Sequence, residues 1–229
     1  AHFVVDEDYV ERKGRIESVN MWVNGMLFKA RRELELMRSD VFEGHGLFPE
    51  LAFFDCHACH HAMDEDRLRP LSVTRNLPPG IVRLNDSSYL MLIAIAEVVR
   101  PAAASALSAA VAELHRATTR GHGAFVTAAG QLDAKMKDLI QPLGAHEYTV
   151  AEMKAIRLGL LDNARRGEYR DFTAAEQAFM AVETLAIQLG DDGEFGPLLD
   201  DWFATVDNEH QFDPAAFARV AAKFRQRLR

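Results

Sequence analysis

Apolar positions recur along most of this chain with the period of an α-helix. Between residues 9 and 38, Ile16, Val19, Val23, Met26, Ala30, Leu34 and Met37 follow one another at steps of 3, 4, 3, 4, 4 and 3. That spacing lays one apolar stripe along a helix and predicts a single buried face. Residues 86–100 are apolar nearly all round, which predicts a central, buried helix with Asp86 or Ser87 as its cap. Pro101 restarts the chain, and an Ala-rich helix follows to about Thr118, with Leu107, Val111 and Leu114 on one side. Gly121 and Gly123 break the pattern before Phe125, Ala129, Leu132, Met136 and Leu139 resume it as far as about Ile140. Thr149 with Glu152, and Thr173 with Glu176, have capping-box spacing ahead of amphipathic runs at 150–166 and 174–189. Asp213-Pro214, a cap followed by proline at the first helical position, opens the last helix.

No strand pattern and no low-complexity linker interrupts these runs. The expected fold is all-α: one domain over residues 1–229, a bundle of roughly six or seven helices. Helical periodicity fails only between about 39 and 84, where Gly44, Gly46, Pro49, Pro70, Pro78, Pro79 and Gly80 crowd together. A long loop walled in by helices is the economical picture, and a loop of that length is usually functional.

Charge narrows the partners. The formal net charge is −8, which disfavours phosphate binding and so excludes a nucleic-acid partner. An acidic surface suits a basic protein partner, and it suits solubility equally. The longest apolar run, Tyr89 to Ala96, falls well short of the roughly 20 residues of a membrane-spanning helix. The chain opens on Ala1 rather than Met, so its start was made by processing, or the chain is part of a longer one. No nucleophile elbow, phosphate loop or dinucleotide fingerprint is present.

The two cysteines, Cys56 and Cys59, lie inside the irregular segment. A disulfide between them would close almost no loop, so their use is chemical rather than structural. Residues 56–60 read Cys-His-Ala-Cys-His. Two thiols at this spacing suit thioether bonds to the two haem vinyl groups, and the next histidine then reaches the iron from one face. A structural zinc site wants four ligands in tetrahedral array. Cys56, His57, Cys59, His60 and His61 supply five donors within six residues, which cannot all converge, and no other cysteine exists. A thioredoxin-like dithiol would want a βαβ context, which is missing.

The run Phe53-Phe54-Asp55-Cys56-His57-Ala58-Cys59-His60-His61 resembles the haem-binding segment of multihaem cytochromes c of the tetrahaem type. Phe48-Pro49-Glu50-Leu51 and Ala175-Glu176-Gln177-Ala178 are similar to that group as well. The resemblance covers the haem segment well and the helices loosely. It implies electron transfer outside the cytoplasm. One departure is large: a single haem motif stands here where such proteins carry several.

The expectation is therefore one haem c, bound through Cys56 and Cys59, with His60 as proximal iron ligand. Arg67 and Arg69, with Arg75 and Arg83 beyond them, are candidates to pair with haem propionates, because guanidinium matches carboxylate. Phe48, Phe53 and Phe54 are candidates to line the pocket. His61 points about 100° from His60 on a helical turn and so away from the same iron; Met63 is expected to pack on the porphyrin. For the distal face His115 is preferred, being helix-borne among small residues, with His122 and His45 as alternatives; His2, His146 and His210 lie at the terminus or in connections. Asp191, Asp192 and Glu194 around Gly193 lack the spacing of a calcium loop and are expected to form a solvated turn.

Three functions stay open. The first is an electron carrier meeting a redox protein partner, other haem proteins or subunits included. The second is a haem sensor, or a haem enzyme acting on a nitrogen oxide or peroxide at an open distal site. The third is a subunit whose haem is mainly structural. Thioether attachment needs reduced cysteines and haem delivered together, which points to export, to a periplasm or an equivalent compartment.

Overall fold

Ten consecutive residues, Ser87 to Ala96, are buried, so the stretch that is apolar all round forms the centre of the molecule. The computed structural model describes residues 11–12, 17–40, 48, 50–54, 60, 71 and 83–228. Among them are eight α-helices: α1 Ser18–Met37, α2 Ser87–Val99, α3 Pro101–Ala117, α4 His122–Gly144, α5 Val150–Arg165, α6 Phe172–Leu189, α7 Asp192–Phe203 and α8 Pro214–Arg227. No strand occurs among the described residues; the chain is all-α, as its periodicity predicts.

The central α2 packs against α1, α3, α4, α5 and α6. On one side α1, α3 and α4 form a layer, with α1 along α4 and α3 between α2 and α4. On the other, α5 and α6 pair, and α7 and α8 close the end of the bundle against them. α1 buries Val19, Val23, Leu27, Ala30, Leu34 and Met37. Leu27 takes the core position expected of Met26, which is half-buried; one residue is a 100° turn, enough to move a side chain from face to flank. α3 buries Leu107, Val111 and Leu114, and α4 buries Phe125, Ala129, Leu132, Met136 and Leu139, the stripes read from the sequence.

The eighth helix, α7, exceeds the six or seven expected. The acidic turn expected at Asp191–Glu194 is instead its start, with Asp192 and Glu194 in the first turn, where carboxylates suit the positive end of the helix dipole. Gly190 adopts φ +71°, ending α6 in a left-handed cap that sends the chain into α7 within two residues. Trp202 anchors α7: it is buried, stacks on Phe217 of α8 at 4.9 Å, and meets Phe179 of α6 edge-on at 5.9 Å.

Candidate functional site

The irregular segment is tied off at both ends where they meet. Phe54 and Leu84 form an isolated antiparallel β-bridge, and the Asn85 amide donates to the Phe53 carbonyl at 2.8 Å. Phe53 is buried and lies 6.5 Å from the Phe125 ring of α4; Phe48 packs edge-on against Phe125 at 5.4 Å and against His122 at 5.6 Å. Cys56 follows Phe54 by two positions in the chain.

Beneath this closure, at the start of α2, lies a buried ionic cluster. Arg83 Nη2 donates to both oxygens of Asp86, at 2.7 and 2.5 Å, and Arg83 Nη1 lies 3.3 Å from Asp171 at the start of α6. His115, 1% exposed, reaches in from α3. Its Nδ1 is 2.9 Å from the Val111 carbonyl one turn back. A carbonyl only accepts, so Nδ1 carries a proton. Nε2 makes no hydrogen bond and stands 3.4 Å from Asp86 Oδ2. Burial would raise the Asp86 carboxyl, but the Arg83 charge, followed by His115, outweighs that and holds it down at about 2. Glu33 of α1 faces the same cluster. Burial there outweighs its contact with Lys29 at 2.8 Å and raises its carboxyl above the ordinary value, with Asp86 adding to the rise.

Arg83 is therefore engaged inside the protein and is not available to haem propionates, contrary to the sequence expectation. His60 is exposed, and His122 is exposed at the first position of α4. Cys56, Cys59, His61, Met63, Arg67, Arg69, Arg75 and His45 lie outside the described residues. Phe54 is half-buried, and Phe48 is exposed on its outer side. Of the two distal candidates that are described, His115 sits within the ionic cluster and His122 at the rim beside Phe48. His146 and His210 lie in connections, as expected: His146 Nε2 is 3.1 Å from Glu152 Oε1, and His210 sits in a short 3-10 turn at Glu209–Gln211. No group of three or more His, Cys, Asp or Glu side chains that could hold a metal occurs among the described residues. No described helix is long and apolar enough to cross a membrane.

Sequence reasoning passed over Asp86 and Asp171 as site residues. From the sequence Asp86 reads as a helix cap. An arginine three residues before an acid at a helix start is the signal that could have paired it with Arg83.

The fold defines an all-α bundle, and the described site is a closure joining Phe54 to Leu84 next to a buried Arg-Asp-His cluster. Comparison with protein-family models, curated proteins and solved structures finds no match to this chain.

Proposed function

We propose that this chain is an exported, mono-haem c-type cytochrome that carries electrons. Haem would be held by thioethers to Cys56 and Cys59, with His60 as proximal ligand. The observation that carries the reading is Cys-His-Ala-Cys-His two positions beyond a closure that joins Phe54 to Leu84, beside aromatic side chains and histidines. When bound, haem supplies a one-electron couple. The protein's part is to hold it, exclude water and set its potential through axial ligand and burial. Phe48, Phe53 and Phe125 supply an apolar wall on the α4 side.

His115 suits the distal role in one respect: its Nδ1 is anchored to a carbonyl and its Nε2 has no hydrogen bond, the second-shell pattern of a metal-binding histidine. Against it, Asp86 stands 3.4 Å from that atom and would have to swing aside. His122, open beside Phe48, is the second candidate, and His45 the third. Arg67 and Arg69 remain candidates for the propionates. The acidic chain would suit a basic redox partner, with other haem proteins or subunits among the candidates. Export follows from the attachment chemistry.

The test is covalency. Protein produced with export and haem-attachment machinery should keep its haem through acid-acetone extraction, and its mass should exceed the polypeptide by one haem. The double variant Cys56→Ala/Cys59→Ala should retain none. Extractable haem in the wild type sinks the reading. The distal ligand is read from spin state: a low-spin ferric spectrum that turns high-spin in His115→Ala assigns that residue. No change in His115→Ala moves the test to His122 and then His45. A high-spin wild type that binds carbon monoxide rapidly would favour the sensor or enzyme with an open distal site.

A further inference from the structure

We propose that the outward stripe of α1 is a self-association face, on which the α1 of a second copy of this chain docks antiparallel about a two-fold axis between Asn24 and Gly25. The stripe lies opposite the buried Val19, Val23, Leu27, Ala30, Leu34 and Met37. It reads Glu17, Met21, Gly25, Phe28, Arg32, at steps of 4, 4, 3 and 4, which keeps all five on one side of a helix. Phe28 is 74% exposed and Met21 60%, two large apolar side chains one above the other on a solvent face. Between them is glycine. Glycine in a helix interior is costly in backbone entropy, and a Cβ at Gly25 would meet nothing within 4 Å, so packing inside the chain does not explain it. A missing side chain there does let another backbone come close.

The order of the stripe selects the occupant. It runs acid, apolar, glycine, apolar, base. Its complement, read antiparallel, is the same stripe. An antiparallel pair centred between Asn24 and Gly25 sets Met21 against Phe28 of the second copy and Glu17 against Arg32, twice over by symmetry. A parallel pair would set like charge on like. Glu17 and Arg32 are both exposed; their present contacts, to Gln188 and Glu35, are surface contacts that an association can exchange. From Glu17 to Arg32 the stripe runs roughly 22 Å along the helix. A contact of that length is at the small end of specific interfaces, so the association should be reversible and concentration-dependent.

The experiment is sedimentation of the full chain over a wide concentration range, beside Phe28→Ser, Glu17→Arg, Arg32→Glu and the double charge exchange Glu17→Arg/Arg32→Glu. All four changes are on the solvent face, and helical circular dichroism checks that each variant folds. The wild type should rise from one chain toward two with concentration. Phe28→Ser should weaken association at least about tenfold, and each single charge change by about tenfold, since it turns two attractions into two repulsions. The double exchange should restore wild-type behaviour to within about threefold, because only a self-pairing stripe recovers its partner charge when both ends are swapped. A wild type that stays monomeric overturns the proposal. So does association that ignores Phe28→Ser, or that the double exchange fails to restore. Association that appears only after deletion of residues 1–16 overturns it too, since the chain's own N-terminal segment would then be the occupant.

Discussion

Asp86 stands at the N-terminal boundary of α2, where a carboxylate usually caps the helix, yet it makes no cap hydrogen bond; Arg83 takes both its oxygens. Its depressed carboxyl has a consequence for stability. A group whose folded-state pKa lies below its unfolded value contributes stability that is present above the unfolded value, near 3.8, and is lost as pH falls toward about 2. The contribution is on the order of 2 kcal/mol. Asp86→Asn should therefore be less stable than wild type at neutral pH by about that amount. The gap should close as pH falls from 4 toward 2. Urea unfolding of both proteins at a series of acid pH values measures it; a gap that stays constant with pH would show that the carboxylate charge is not what Arg83 requires. Asp133 of α4 is a second such position. Buried, it meets Arg31 at 3.2 Å, Arg38 at 3.1 Å and Lys137 at 2.9 Å, pinning α1 to α4. In each cluster only the local pair, Arg83 with Asp86 and Asp133 with Lys137, has a spacing the sequence could show; the other partners lie about 30 to 100 residues away, and nothing in periodicity links them.

Helix starts show which local signals survive tertiary contact. Two capping boxes are present in the sequence, and only one forms. Thr149 accepts the Glu152 amide at 3.2 Å, and the Glu152 carboxylate accepts the Thr149 amide at 2.9 Å, ahead of α5. At α6 the helix begins earlier, at Phe172, so Thr173 is already helical, and Asp171 in the cap position turns its carboxylate to Arg83. Thr149→Ala should therefore cost about 1 kcal/mol in chemical denaturation, while Thr173→Ala should change stability by less than about 0.5 kcal/mol. Equal losses at the two positions would show that the second box forms in solution. Asp213 behaves as its sequence predicts, accepting the Ala215 amide at 2.8 Å ahead of Pro214. α1, α3 and α4 are legible from their stripes, α2 from being apolar all round, α5 and α6 from amphipathic runs behind capping-box spacing, and α8 from its cap and proline. α7 is not: Gly193, Gly196 and Pro197 fall inside it and erase the pattern. It exists because Phe195, Leu199 and Trp202 bury against α6 and α8, a tertiary gain that local propensity does not encode.

For the molecule as a whole, the question is how far the bundle depends on the segment that carries the cysteines. The described core is a continuous cluster running from Val19 to Phe224; of the described residues between 39 and 84, Phe53 and Leu84 join it, Phe54 packs against it, and Leu71 is buried as well. Phe53 and Leu84 both lie at the closure, where Phe54 bridges Leu84, and the contacts between the described elements are helix on helix. Burial of α2 by five neighbouring helices is packing of the kind that supports a cooperative core. The sequence predicts something complementary: with few helix-period apolar residues, 39–84 is expected to be ordered largely by the haem proposed for it. On the proposed haem reading, these separate two quantities, cofactor retention and helix packing. The double variant Cys56→Ala/Cys59→Ala should lose haem yet keep the far-ultraviolet helical signal and a single cooperative thermal transition. Its protection from protease should fall mainly between residues 39 and 84. Limited proteolysis with mass mapping of the cleavage sites, read beside the thermal melt, measures both. Collapse of the helical signal on loss of the cysteines would show that the bundle is built around the cofactor. Unchanged protection across 39–84 would show that the segment packs on its own, and would leave the purpose of its two cysteines to be found elsewhere.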